Sequence, residues 1–288
     1  MPVTEVLSAV LSIADAAEAA DGAAPLDEAT ILTLRHRPDS VRSWVEEDGF
    51  ALLIGSELSL VVRPDARGRG AGTRLLDAVL GDAVEPLTAW SHGNQPAAAA
   101  LAASHGFRAA RELWVMRRPA GDLPPLPAPT DGVELRGFRT GDEQELLRVN
   151  ASAFAHHPEQ GHMTSEDFRE RMTEAWFDPE GLFLAVPDDE GALTGDPSVE
   201  LLGFHWTKVH RDEDPPYGEV YVVATNPKAA GRGLGTLLTK VGLEHLATQG
   251  VDEVILYVDG DNDPAIAVYE GQGFGSVRTE VQYRGATR

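Results

Sequence analysis

The sequence contains no cysteine, which excludes disulfides, thiolate metal sites and a cysteine nucleophile. It has no run of about 18 apolar residues, so no membrane span is expected. The opening stretch, MPVTEVLSAVLSIADAAEAAD, lacks the basic start of a signal peptide. Its acidic residues and helical periodicity predict an amphipathic helix instead. Basic residues are scarce: 24 Lys and Arg stand against 46 Asp and Glu, a net charge of -22. A field of that sign repels nucleic acid and anionic membrane surfaces, although backbone amides can still bind an anion locally. These absences together predict a soluble, cytoplasmic protein.

The 288 residues, 42% of them hydrophobic, can bury the core of one large or two ordinary domains. The segment RRPAGDLPPLPAPTDG (Arg117–Gly132) has five prolines and no apolar periodicity, the pattern of a semi-rigid extended linker. The expected organisation is a first domain over 1–118, a linker over 119–131 and a second domain over 132–288. In the first half, helical patterns cover Val6–Ala20 and Asp27–His36, and strands Phe50–Ile54 and Leu58–Val62. A glycine turn, a helix over Gly70–Leu80, the strand LTAW, a helix over Gln95–Ser104 and the strand ELWVMRR follow. In the second half, the strand VELRGF leads to a helix over Asp142–Ala153, then to TSEDFRERMTEAW, which opens with a T-x-x-D capping pattern at Thr164 and Asp167. Strands Leu182–Val186, Glu200–His210 and Gly218–Thr225, a second glycine turn, a helix over Gly233–Thr248, the strand DEVILYV, a helix over Pro264–Glu270 and a strand at Thr279–Tyr283 complete it.

The two glycine turns share the pattern G-R-G-x-G-T, at Gly68–Thr73 and Gly231–Thr236, and each half ends in x-G-F before a last strand. Two tandem α/β domains of one kind follow. Each turn sits where a strand gives way to a helix. The first amides of a helix have no internal partners, the helix dipole places partial positive charge there, and glycine lets a ligand approach the backbone. The result is an anion site suited to a pyrophosphate. A P-loop is excluded because neither copy has the lysine, and the G-x-G-x-G spacing fits a Rossmann turn poorly. Five histidines, His156, His157, His162, His205 and His210, lack the spacing of a standard ligand set, and His205 and His210 fall on opposite faces of one strand. No metal is expected.

RGRGAG (Arg67–Gly72) matches the R/Q-x-x-G-x-G/A loop of the GNAT acetyltransferases, and AGRGLG (Ala230–Gly235) matches it except for Ala230, a position that contributes mainly its backbone. YVDGDNDPAIAVYEGQGF resembles the second GNAT signature, with Asn262 opening a helix and Tyr269 ahead of Gly273–Phe274. The first half's WSHGNQPAAAALAASHGF has no matching tyrosine, so the second half is expected to carry the chemistry. The resemblance implies two GNAT-type domains, each a mixed, mostly antiparallel sheet flanked by helices. It also implies acetyl-CoA as co-substrate and a second acetyl-CoA in the first half. The implied acetyl-CoA contacts are Val223, Ala224, Thr225, Ala230, Gly231, Arg232, Gly233, Leu234, Gly235, Thr236, Asn262, Ala265 and Ile266 in the second half. In the first they are Leu60, Val61, Val62, Gly68, Arg69, Gly70, Ala71, Gly72 and Thr73.

HPEQGHMT (His157–Thr164), DPEGLFLAV (Asp178–Val186), LLGFHWTKVH (Leu201–His210) and GEVYVVATNP (Gly218–Pro227) narrow the resemblance to the mycothiol synthase family. It covers the whole chain and is weakest at Leu52–Ser59, where a shortened hairpin is expected. That family transfers acetyl from acetyl-CoA to the cysteinyl amine of a cysteinyl-glucosaminyl-inositol. The resemblance implies Glu219 as base, Tyr269 as acid at the departing thiol, and an oxyanion contact at a backbone amide near Val223. It implies Glu28, Glu166, Lys208, Glu219 and Tyr257 as substrate contacts, with Glu28 drawn from the first half. Other readings are a tandem acetyltransferase for another small amine or a peptide N-terminus, and a non-catalytic acetyl-CoA sensor.

Overall fold

A computed structural model describes residues 3–83, 86–123, 125, 131–157, 160–188 and 200–285. Part of the proline-rich segment, 124 and 126–130, lies outside them. The chain divides into two units. One holds Met1–Trp114, Asp259–Asp261 and Arg278–Arg288; the other holds Val115–Val258 and Asn262–Val277.

In the first unit, helices α1 (Val3–Asp21) and α2 (Glu28–His36) precede strands β1 (Arg42–Glu46), β2 (Gly49–Ile54) and β3 (Glu57–Val62). Asp27 caps α2 by accepting the Thr30 amide at 2.7 Å. The apolar run of β2 is buried on both faces: Phe50 and Leu52 pack with α1, and Ala51 and Leu53 with Leu75, Leu76 and Val79 of α3 (Ala71–Asp82). A strand covered by helices on both sides needs such an unbroken run, not an alternating one. Ile54 pairs with Glu57 across a two-residue turn at Gly55-Ser56, with Gly55 at φ +58°. Strand β4 (Thr88–Ser91) runs parallel to β3, and α4 (Pro96–Ser104) follows it. Strand β5 (Arg108–Pro119) is divided between the units at Trp114. The neighbour of β4 in this unit comes from the far end of the chain. Val281–Arg284 of the last strand pair antiparallel with Ser91–Thr88. The sequence analysis missed β1, whose residues RSWVE carry no apolar alternation and are largely exposed; pairing with β2 orders it, with Val45 and Trp44 packed against the core clusters on either side.

In the second unit, β6 (Val133–Gly137), β7 (Leu182–Pro187), β8 (Gly203–His210) and β9 (Tyr217–Thr225) form an antiparallel series, and β10 (Glu253–Asp259) adds in parallel to β9. Helices α5 (Glu143–Ala153) and α6 (Ser165–Thr173) bury Leu146, Val149 and Phe168 against Trp206 and Val222 on one face. Helix α7 (Leu234–Ala247) buries Leu234, Leu237 and Leu238 against Ala185 on the other. Helix α8 (Asp263–Glu270) and strand β11 (Gly275–Arg284) end the fold. Thr164 and Asp167 form the reciprocal capping box of α6. Each unit is thus a mixed, mostly antiparallel sheet flanked by helices, as expected. Among the described residues no helix is long and apolar enough to cross a membrane.

His205 on β8 is fully buried against α7, where Gly242 leaves room for its ring. Its Nδ1 donates to the Leu238 carbonyl at 2.7 Å. Burial pulls its pKa down to about 4, so the folded protein holds it neutral. The unfolded chain takes up this proton near pH 6.5, so stability present above that pH is lost as pH falls toward 4, by about 3 kcal/mol. His205→Asn retains a donor for Leu238 and is expected to remove that drop between pH 7 and pH 4. Urea titrations at both pH values measure it. An unchanged pH dependence would mean that His205 is not the group responsible.

Candidate active site

Strands β9 and β10 pair only through Gly218–Val220 with Val254–Leu256. Beyond Val220 they part, and at that point β9 carries a bulge: Trp206 pairs with Val222 and Thr207 with Val220, leaving Tyr221 as the extra residue. Val223, Ala224 and Thr225, past the bulge, therefore have no ladder partner on the β10 side, at the C-terminal ends of two parallel strands. The chain then passes through the turn at Ala230 into α7. Gly231 and Gly233 lie at φ +80° and +74°, conformations that favour glycine. Gly233 is the N-cap of α7, and no side chain caps the helix. A Cβ built on Gly231, Gly233 or Gly235 meets no atom within 4 Å. The turn is thus open around its glycines, and the first-turn amides of α7 have no side-chain cap, an arrangement that suits a diphosphate. Asn262 caps α8 by accepting the Ala265 amide at 3.3 Å, and Ile266 is buried in the next turn.

The first unit repeats this geometry. Gly68 and Gly70 lie at φ +74° and +84°, and Gly70 is the uncapped N-cap of α3. Strands β3 and β4 pair only at Glu57 and Thr88. A cavity of about 520 Å³ opens there, lined by Leu60, Val61, Val62, Gly68, Gly70, Ala71, Gly72 and Thr73; Arg69 is not in its wall. Arg67 is held by Asp21 through two bonds of 2.7 and 2.8 Å, which raises its pKa and occupies its guanidinium.

In the second unit the register of β8 and β9 places Lys208 beside Glu219 and His210 beside Tyr217, on the face covered by α5 and α6. Glu219 is 7% exposed. His210 Nε2 donates to its Oε2 at 2.5 Å, and the imidazole stacks on Tyr217 with ring centres 4.3 Å apart. The Lys208 ammonium lies 4.6 Å from the Trp176 ring centre and 5.3 Å from that of Tyr221. Arg171 donates to the Tyr221 hydroxyl at 2.7 Å. A buried carboxylate thus sits with an imidazole and an ammonium two residues from the bulge.

A sequence model of the acetyltransferase (GNAT) family matches residues 33–107 and 149–274. Among similar proteins, one from a Nocardioides species named mycothiol acetyltransferase is 59% identical, covering 97% of this chain and 98% of its own. One of the same name from Catenulispora acidiphila is 47% identical over 96% and 95%. A GCN5-related N-acetyltransferase from Sphaerobacter thermophilus superposes with a TM-score of 0.68 at 22% identity, covering 97% of this chain and 92% of its own. A tandem GNAT protein from the clavulanic acid biosynthesis pathway gives 0.69 at 20%, over 99% and 96%. The chain belongs to the GNAT acetyltransferase family.

In this acetyltransferase Tyr269 lies half-buried on α8, edge-on to Phe274 with ring centres 6.0 Å apart. Burial pushes its pKa up to about 12, so it stays protonated. Tyr257 is two residues beyond Ile255, the register partner of Glu219, hence on the same face of the sheet; it is 42% exposed. Glu166 occupies the exposed first turn of α6. Glu28 begins α2 in the first unit. The structure thus groups Glu219, Lys208 and Tyr257 on one face of the second unit's sheet, with Glu166 on α6 of the same unit and Glu28 on α2 of the first. Sequence reasoning missed His210, Tyr217, Trp176 and Tyr221; only the hairpin register brings the first two to Glu219. Among the described residues no group of three His, Asp or Glu side chains could hold a metal.

Proposed function

We propose that the chain transfers the acetyl group of acetyl-CoA to the cysteinyl amine of a cysteinyl-glucosaminyl-inositol, the last step of mycothiol biosynthesis, in the cytoplasm. The observation that carries this reading is near-full-length identity of 59% and 47% to proteins named mycothiol acetyltransferase. The acetyl transfer belongs to the 132–288 half. The 1–118 half holds a second acetyl-CoA in its own cleft without transferring its acetyl group.

An α-amine has a pKa of about 7.7–8.0, so much of it is protonated at neutral pH. Glu219 takes the proton through water as the nitrogen attacks the thioester carbonyl. A backbone amide near Val223, beyond the bulge, meets the oxyanion. A phenol at about 12 holds its proton more tightly than a thiol at about 8.5. Tyr269 therefore acts by hydrogen-bonding the departing sulfur rather than by giving up its proton outright. Lys208, Glu166, Tyr257 and Glu28 are the proposed substrate contacts. Turnover with acetyl-CoA and the cysteinyl pseudodisaccharide, compared with generic amines, tests the assignment; equal rates with a simple amine would reject it.

His210 orients the Glu219 carboxylate. His210→Phe keeps the stack on Tyr217 but removes the bond, and is expected to lower kcat about tenfold or more, the range of a hydrogen bond to a charged group. KM for acetyl-CoA should hold, and His210→Gln should recover part of the rate. A variant with unchanged kcat would make His210 a bystander.

A further inference from the structure

His92 directly follows β4 in the first unit, and its Nδ1 lies 3.2 Å from Glu280 Oε2. Glu280 is 1% exposed. It also accepts the Gly93 amide at 2.7 Å and the Arg278 Nε at 2.8 Å. Burial raises its pKa, but His92 and Arg278 more than offset this and the net shift is downward, so it is ionised. An ionised carboxylate only accepts, so the proton of a neutral imidazole sits on Nδ1 and Nε2 presents a lone pair. Among the described residues Nε2 has no hydrogen-bond partner, and His92 lines the cavity of about 520 Å³. The wall around it is mostly apolar, with Ala89, Trp90, Ala97 and Leu101. With His92 neutral, the cavity thus combines amide donors at the glycine turn with one fixed acceptor nitrogen. A ligand matching both has a diphosphate and an arm bearing an N–H group.

We propose that His92 is the polar anchor of the first-unit site and accepts an amide N–H of a pantetheine arm, with Glu280 from the last strand holding the ring. The inference rests on the reading that the first unit binds acetyl-CoA. It makes that cleft a built site rather than a vestige of a repeat, and one that the first half cannot complete without residues from the chain's end.

Calorimetric titration of the full chain carrying Gly233→Asp, which blocks the second-unit turn, lets the first-unit site report alone. His92→Phe in that background is expected to weaken acetyl-CoA about three- to tenfold, the loss of one neutral hydrogen bond. ADP, which has the diphosphate and no arm, should bind within about twofold of before. His92→Gln, which restores an acceptor, should recover most of the acetyl-CoA affinity. Glu280 keeps its bonds to Gly93 and Arg278 in both variants, and thermal unfolding checks that the fold holds. Unchanged acetyl-CoA binding in His92→Phe, or equal weakening of acetyl-CoA and ADP, would overturn the anchor. The underlying reading fails separately, if the unmodified chain binds one acetyl-CoA and Gly70→Asp leaves that stoichiometry unaltered.

Discussion

Glu219→Gln is expected to lower kcat by about 10²–10⁴-fold at pH 7, the span usual for a general base, while acetyl-CoA binds nearly as before. The amide has the shape of the carboxylate and can still meet His210 Nε2, so the change removes proton affinity and little else. The magnitude separates two roles. With an amine pKa of about 7.7–8.0, roughly a tenth of the free substrate is already neutral at pH 7. A base that only supplied neutral amine could therefore account for about tenfold, and its loss would vanish by pH 9. A larger loss that shrinks only partly with pH shows Glu219 acting in the transition state. The pH–rate profiles of both proteins decide this, and near-normal kcat at pH 7 would place the base elsewhere.

The parts of this site that were legible in the sequence are those set by local backbone chemistry. Gly68, Gly70, Gly231 and Gly233 all take positive φ, and a repeated G-R-G-x-G-T between strand and helix reads as such a turn without tertiary information. The Thr164–Asp167 box and the Asp27 and Asn262 caps are local in the same way. What escaped is what depends on register or distance. His210 reaches Glu219 because a hairpin with a bulge at Tyr221 aligns them. Glu280 grips the turn at Gly93 from 187 residues away, through a strand that ends the chain yet pairs with β4. Strand β1 escaped because an exposed edge strand of mixed polarity leaves no period to read.

Aspartate at Gly233 is expected to lower kcat/KM for acetyl-CoA by about three orders of magnitude, while aspartate at Gly70 leaves kcat within about twofold. The two positions form a matched pair. Each is the N-cap of a helix, at φ +74° and +84°. A Cβ at Gly233 meets nothing within 4 Å, and one at Gly70 meets only the Arg74 guanidinium at 4.0 Å. Aspartate is among the few residues that tolerate the left-handed region, so the folding cost is small and similar at both. The difference then lies in the ligand. A carboxylate about 4 Å from a phosphate charge, at an effective dielectric constant of about 20, costs about 4 kcal/mol, which is about 10³ in binding. Falling on the turn that serves Glu219 and Tyr269, that cost appears in turnover. Falling on the first-unit turn, it appears only in the stoichiometry of bound acetyl-CoA. Steady-state kinetics and equilibrium dialysis of the two variants, with circular dichroism to confirm folding, separate these outcomes. Equal loss of turnover from both would mean that the chemistry is shared between the halves, and the assignment of acetyl transfer to 132–288 would fall.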